Sequence, residues 1–138
     1  MLQFVLTNAG IAARNSVIAG GGSINFTRAA IGTGTPSLQP EELTNLVSFA
    51  ANVGLKQSLT DSVTHTFEVL IDNAKADPAI TSDIVATEIG VYAQITIDDV
   101  EQSEILYAYC VPPVGIYVPA PPAVSVQDFE SVLVSGTS

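Results

Sequence analysis

Ala86-Thr87-Glu88-Ile89-Gly90-Val91-Tyr92-Ala93 and, after a short acidic gap, Glu104-Ile105-Leu106-Tyr107-Ala108-Tyr109-Cys110 decide the fold. Both stretches alternate with period two and carry the β-branched and aromatic residues that fill pleated, half-buried strands. In the first, Thr87, Ile89, Val91 and Ala93 share one face, and Ala86, Glu88, Gly90 and Tyr92 the other. In the second, Ile105, Tyr107, Tyr109 and Val111 oppose Leu106, Ala108 and Cys110. The connector Asp98-Asp99-Val100-Glu101-Gln102-Ser103 is acidic and turn-forming, which predicts a hairpin.

Working outward, the same period recurs. Ser23 to Ile31 places Ile24, Phe26, Arg28 and Ala30 opposite Asn25, Thr27, Ala29 and Ile31. Val53 to Leu59 alternates, Thr60-Asp61-Ser62 turns, and Val63 to Asp72 puts Val63, His65, Phe67, Val69 and Ile71 on one face. Gln127 to Val134 is a last strand whose two faces are both mixed. That suits contact with a second subunit through Phe129, Val132, Leu133 and Val134. Two helices are expected. Thr7 or Asn8 caps the first, whose small apolar positions predict close approach to another backbone, and Gly20-Gly21-Gly22 stops it. Pro40-Glu41-Glu42 opens a second, short one running through Val47. Asn73 to Asp83 reads as a loop. The proline-rich segment 111–123 reads as extended chain at an edge or as a lid. The expectation is a single α+β domain over 1–138: a mostly antiparallel β-sheet or sandwich with an N-terminal helix and a second short helix at one side.

Composition narrows the function. Hydrophobic residues make up 47% and charged residues 13%, with 4 Lys+Arg against 14 Asp+Glu. So little charged surface fits an assembled chain better than a compact monomer with a Thr/Ser/Asn-rich exterior. A net charge of −10 with scattered Arg14, Arg28, Lys56 and Lys75 argues against nucleic acid and anionic membranes. Met1 to Leu6 lacks the basic start of a secretory signal, and Asn8 and Arg14 interrupt any apolar run. Ile105 to Gln127 is uncharged and long enough to suggest a membrane span. Its five prolines would break such a helix, so no membrane insertion is expected.

Reactive chemistry is sparse. His65, the one histidine, sits on an apolar strand face and reads as a core or interface residue; no G-x-S-x-G elbow accompanies it. One His and one Cys leave zinc short of ligands. Cys110 alternates with Leu106 and Ala108 as a buried small hydrophobe would. Asp98, Asp99, Glu101 and Glu104 lack the spacing and glycine of a calcium loop and read as a solvated hairpin tip. The loops at Gly20-Gly21-Gly22-Ser23 and Gly32-Thr33-Gly34 lack the lysine of a phosphate-binding loop. No catalytic, cofactor-binding or metal-binding residue is assigned, and no cofactor is expected.

Four segments together resemble the tail-collar fibre family of bacteriophages, the attachment domain that heads tail fibre and baseplate proteins. They are Leu6-Thr7-Asn8-Ala9-Gly10, Phe26-Thr27-Arg28 through Gly32, Leu43-Thr44-Asn45-Leu46, and the Glu88-Ile89-Gly90-Val91-Tyr92-Ala93 string with Leu106-Tyr107-Ala108 after it. They occur in the family's order. Only 111–123 departs from its pattern, lacking the lysine-proline ending of many relatives. The resemblance implies a non-enzymatic virion protein of a phage tail or tail-like particle, made in the bacterial cytoplasm. It would anchor a tail fibre or receptor-binding protein to the baseplate or tail tip. It further implies other tail and baseplate proteins as partners, a homo-oligomer with a trimer favoured, and a domain that commonly heads a longer fibre. The alternative is a carbohydrate-binding module contacting host glycans through Tyr107, Tyr109 and Tyr117. Glu88, a strand carboxylate beside Ile89 and Val91, needs a partner once buried. Arg28, in the other strand motif, is the expected one.

Overall fold

Period-two sequence becomes sheet almost throughout. The computed structural model describes residues 3–59 and 64–134, with backbone only for 57–59, 64–66 and 130–134. In chain order come β1 (Val5–Leu6), α1 (Asn8–Gly20), β2 (Ser23–Gly32), a 3-10 turn (Pro40–Glu42), β3 (Phe49–Leu59) and β4 (Thr64–Asp72). They are followed by β5 (Ile84–Ala86), β6 (Glu88–Ile97), β7 (Val100–Glu101), β8 (Ile105–Cys110), β9 (Ile116–Val118) and β10 (Val126–Val134). One antiparallel sheet runs β1-β8-β6-β2-β3-β4-β10 with β7 on β6, while β5 and β9 form a small ribbon.

The sheet curls into a half-barrel because β3 serves both halves. Its first residues pair with β2 and its second half, from Gly54, pairs with β4. The inner faces of the two halves therefore meet. Phe67 from one half lies edge-on to Phe26 at 5.2 Å and to Phe4 at 5.8 Å, and Phe26 meets Tyr107 at 5.1 Å. Ala29, Ile31, Val69, Ile71, Ile89 and Val91 fill the space around these rings.

Two bulges decide which side chains reach that core. Pairing of β2 with β6 passes from Phe26↔Ala93 to Arg28↔Tyr92, skipping Thr27. The expected grouping of Phe26 with Arg28 and Ala30 therefore fails. Ala29 and Ile31 join Phe26 inside, while Ala30 turns outward. Likewise β6 pairs with β8 as Val91↔Ala108 and then Tyr92↔Leu106. Tyr107 and Ala108 thus both face the inner core, and Leu106 and Tyr109 face outward, against the strict alternation expected. Both bulges flank Tyr92.

The N-terminal helix is as expected. Thr7 caps it, its Oγ1 accepting the Gly10 N–H at 2.9 Å, and Gly21 ends it at φ 73° with its N–H on the Val17 carbonyl. The second helix is not formed beyond the 3-10 turn: Leu43 is already extended at ψ 143°. Proline and two acids favour a helical start, but the amides that would continue it are claimed by side chains of the sheet, as described below. The hairpin after β6 is tighter than the acidic connector suggests. Ile97 pairs with Val100 directly, and Asp98 and Asp99 take φ of 52° and 62°, the two left-handed positions of a primed turn.

Burial sets an alkaline limit. The Cys110 thiol is pushed up to about 11 and the Tyr107 phenol to about 12, in both cases chiefly by desolvation. The unfolded chain would ionise both near their ordinary values of 9.0 and 10.0. Native protein therefore holds protons that unfolded protein has lost. The stabilisation is complete below about pH 9 and disappears as pH rises toward 12. The melting temperature is expected to fall over this range, and Cys110 should resist a thiol reagent at pH 8 until denaturant is added.

Candidate functional site

The outward face of β6 presents Glu88, Gly90 and Tyr92, and the chain between β2 and β3 crosses it as a strap. Leu43 and Leu46 of the strap pack with Ala30, Tyr92, Leu106 and Tyr109 in a second apolar cluster. Gly90 makes room: a Cβ there would lie 2.8 Å from Leu106 Cδ1 and 2.9 Å from Leu46 Cδ2.

Glu88 latches the strap. Its side chain is completely buried, yet among the described residues no cation forms an ion pair with it. Its carboxylate accepts the Val47 N–H at 2.8 Å, the Ser48 N–H at 2.8 Å, the Gly34 N–H at 3.2 Å and the Tyr109 hydroxyl at 2.7 Å. Hydrogen bonds to an ionised acceptor are about twice as strong as neutral ones, and these donors replace the water that burial removed. Burial first, and then the bond to Glu88, hold the Tyr109 phenol far above its ordinary ionisation range. Around the latch the Thr33 N–H meets the Ser48 carbonyl at 3.0 Å, and Thr87 Oγ1 donates to the Gly34 carbonyl at 2.7 Å.

Arg28 lies elsewhere on the same outer face. It is registered with Tyr92, whereas Glu88 is registered with Gly32, a separation of about 13 Å along the strands. The expected Arg28–Glu88 pair is not formed, because backbone amides and Tyr109 saturate Glu88 while Arg28 reaches in other directions. Its Nε contacts Glu104 at 3.1 Å, its Nη1 donates to Asn52 Oδ1 at 2.7 Å, and its guanidinium sits 3.8 Å above the Tyr92 ring. Thr27 also donates to Glu104. The Tyr92 hydroxyl donates to Asn45 Oδ1 at 2.8 Å and accepts the Leu46 N–H at 3.4 Å, so this network also secures the strap. Both members of the Arg28–Glu104 pair remain about a third exposed, at 31% and 30%, and the ion pair itself contributes little. Removing Arg28 loses the stacking and the Asn52 bond as well. Arg28→Ala is expected to cost about 1–2 kcal/mol by chemical denaturation.

Other candidates are dispersed. Tyr107 and Tyr109 are core residues, so of the three tyrosines expected to offer a glycan platform only Tyr117 is exposed. Its hydroxyl donates to Asp83 at 2.6 Å, and the Ala120 N–H and Tyr117 together lower the Asp83 ionisation range. Phe129 is half-buried against the core. The side chains of Val132, Leu133, Val134 and His65 lie outside the described residues. β10 pairs with β4 along one edge and with no described strand along the other. Asp98 and Asp99 line an open polar cleft of about 260 Å³ with Gly20, Gly21, Gly22, Ser23 and Thr96. Among the described residues no three His, Cys, Asp or Glu side chains converge as metal ligands would, and no helix is long and apolar enough to cross a membrane.

Two features have no signature in side-chain pattern. The strap's contribution is its amides, at Gly34, Val47 and Ser48, which any sequence would supply. Asn73, read as part of a polar loop, is buried. Its Nδ2 donates to the Pro119 and Ala123 carbonyls at 2.8 and 2.6 Å, and its Oδ1 accepts the Ser125 N–H at 3.1 Å. It thereby ties down the proline-rich segment, in which β9 pairs with β5. The chain matches no family model, no curated protein and no solved structure.

Proposed function

We propose that this chain is a non-enzymatic structural protein of a phage tail or phage-tail-like particle. It anchors a tail fibre or receptor-binding protein to the baseplate or tail tip. The supporting observation is that the four segments resembling tail-collar fibre proteins, distant in sequence, form one continuous set of contacts. Thr7 and Gly10 lie against the backbone of Leu106 and Tyr107; Arg28 covers Tyr92; Leu46 packs into the gap over Gly90; Glu88 sits beside Gly32. Residues that jointly fix a helix and a strap on one sheet make a rigid platform, which is what a load-bearing joint between tail proteins needs. The affinity of such a joint comes from many copies acting together, and a homotrimer of this chain is the expected unit. Its partners are other tail and baseplate proteins, and its place is the virion.

Mass spectrometry of purified particles from the source culture tests this. The expected result is this chain present in fixed stoichiometry with other tail proteins. Its absence from particles, with binding on a glycan panel, would replace the proposal by a carbohydrate-binding function.

A further inference from the structure

We infer that the open edge of β10 takes up an extended segment of a partner protein in which Lys or Arg alternates with apolar residues. The inference rests on the reading that this chain anchors a second protein, and it adds the chemistry of the anchored segment. The sheet ends in β1 on one side and in β10 on the other. β1 is two residues long, whereas β10 is nine. β10 pairs with β4 from Val126↔Asp72 to Val134↔Thr64 without a register shift. Among the described residues no strand lies along its other side. Every second residue of β10 therefore turns its N–H and carbonyl away from β4. Sheet edges are normally blunted by lysine, proline or a bulge, and β10 has none of these. Such an edge accepts a further strand through main-chain hydrogen bonds.

Register fixes what the two faces of that added strand carry. Phe129 is aligned with Val69 of the inner core and packs half-buried against it. The inward positions of the added strand continue this row and so are apolar. The outward row is acidic. Asp128 is exposed and aligned with Leu70, Glu130 is aligned with Glu68, and Val126 with Asp72. Lys56 is aligned with Glu68 from the far side, on β3, and Lys75 lies in the turn after β4. β10 itself carries two charges, both negative. Opposite charges on facing strand positions stabilise a pair, and like charges destabilise it. The outward positions of the added strand are therefore Lys or Arg.

A second copy of this chain does not meet that requirement. Pairing all of β10 with its own two-fold copy sets Glu130 against Glu130, with the Asp128 of each copy diagonal to it. Nor do the chain's cations form an alternating strand. Arg14 is in α1, Arg28 and Lys56 are in strands inside the sheet, and Lys75 is in a turn. The two acids thus oppose self-pairing while admitting a basic strand. The edge goes to a different protein rather than to the second subunit that its mixed faces suggest, and the contacts of a homotrimer fall on other surfaces.

Fluorescence anisotropy with labelled nine-residue peptides, matched to the length of β10, tests this on the full chain. The probe alternates Lys and Val. One control alternates Glu and Val, and another has the Lys and Val content of the probe in two blocks. The alternating Lys-Val probe is expected to bind, less tightly as salt is raised, and to slow amide exchange in β10 but not in β1. The Glu-Val peptide should not bind, and the block peptide should bind about tenfold more weakly. Asp128→Lys, at an exposed position and checked for an unchanged melting temperature, should weaken the probe about tenfold. Glu101→Lys makes the same change of charge at the exposed hairpin after β6 and should leave affinity unchanged. No binding, equal binding of the block peptide, or equal loss in the two variants overturns the inference. Presence in particles without probe binding would defeat the edge assignment alone; probe binding by a chain absent from particles would defeat the virion reading alone.

Discussion

Glu88→Gln is expected to lower stability by about 3 kcal/mol, a fall of roughly 10 °C in melting temperature for a chain of this size. The substitution is nearly isosteric, so the loss is electrostatic. One carboxylate oxygen becomes an NH2 group facing amide donors, either Val47 N–H on one side or Ser48 and Gly34 N–H on the other. The remaining bonds lose their ionic character, and Tyr109 can satisfy only part of the amide. Glu88→Ala leaves all three amides without an acceptor and adds a cavity, so it should be worse. The strap should open first, because three of its amides, those of Gly34, Val47 and Ser48, lose their ionic acceptor together. Amide exchange at Gly34, Val47 and Ser48 is expected to accelerate more than exchange in β4. The partner assignment has its own test. If Arg28 were the partner, the Arg28→Ala, Glu88→Gln double variant would cost far less than the sum of the singles. With the two side chains on separate partners, the effects should add to within about 0.5 kcal/mol.

That assignment shows where sequence reading works and where it stops. Strands were legible because burial of one face imposes period two, and β4 with Phe67, Val69 and Ile71 inside is the clear case. The helix was legible because Thr7 and Gly21 are local signals, satisfied within one turn of their own residues. Face assignment failed wherever a bulge intervened. Nothing in Phe26-Thr27-Arg28 or Leu106-Tyr107-Ala108 marks the residue that slips, because a register shift belongs to the pairing of two strands and not to either segment alone. That Glu88 would need a partner once buried follows from residue type and neighbours. Three of its four actual partners are amides from residues forty and more positions away, and amides are invisible in sequence; the fourth is the Tyr109 hydroxyl. The same blindness produced the extended helix after Pro40. Local preference starts a helix there, but the Val47 and Ser48 amides are worth more on a buried carboxylate than on carbonyls of a short exposed helix.

Gly10→Ala should be still more damaging relative to expectation, because local and tertiary effects have opposite signs. Gly10 lies in the first turn of α1, and alanine in a helix interior normally stabilises by about 0.5–1 kcal/mol. Here a Cβ would lie 2.3 Å from the Tyr107 carbonyl oxygen, a contact no real structure tolerates. The oxygen cannot easily retreat. Tyr107 is the bulged residue of β8, and its carbonyl accepts the Thr7 N–H at 3.1 Å, so moving it would break the helix cap as well as the sheet. The helix must then lift from β8, exposing Ile11 and part of the Tyr107 ring, at a cost of about 3 kcal/mol. Gly90→Ala is the control. It also crowds its site, but against the ends of the Leu46 and Leu106 side chains, which can rotate, so about 1 kcal/mol is expected. Equal losses for the two variants would mean that the strap is as rigid as the helix seat. A larger loss at Gly10 would mean that the Thr-x-x-Gly segment matters because a backbone must touch a backbone there, a requirement of the platform itself rather than of any ligand.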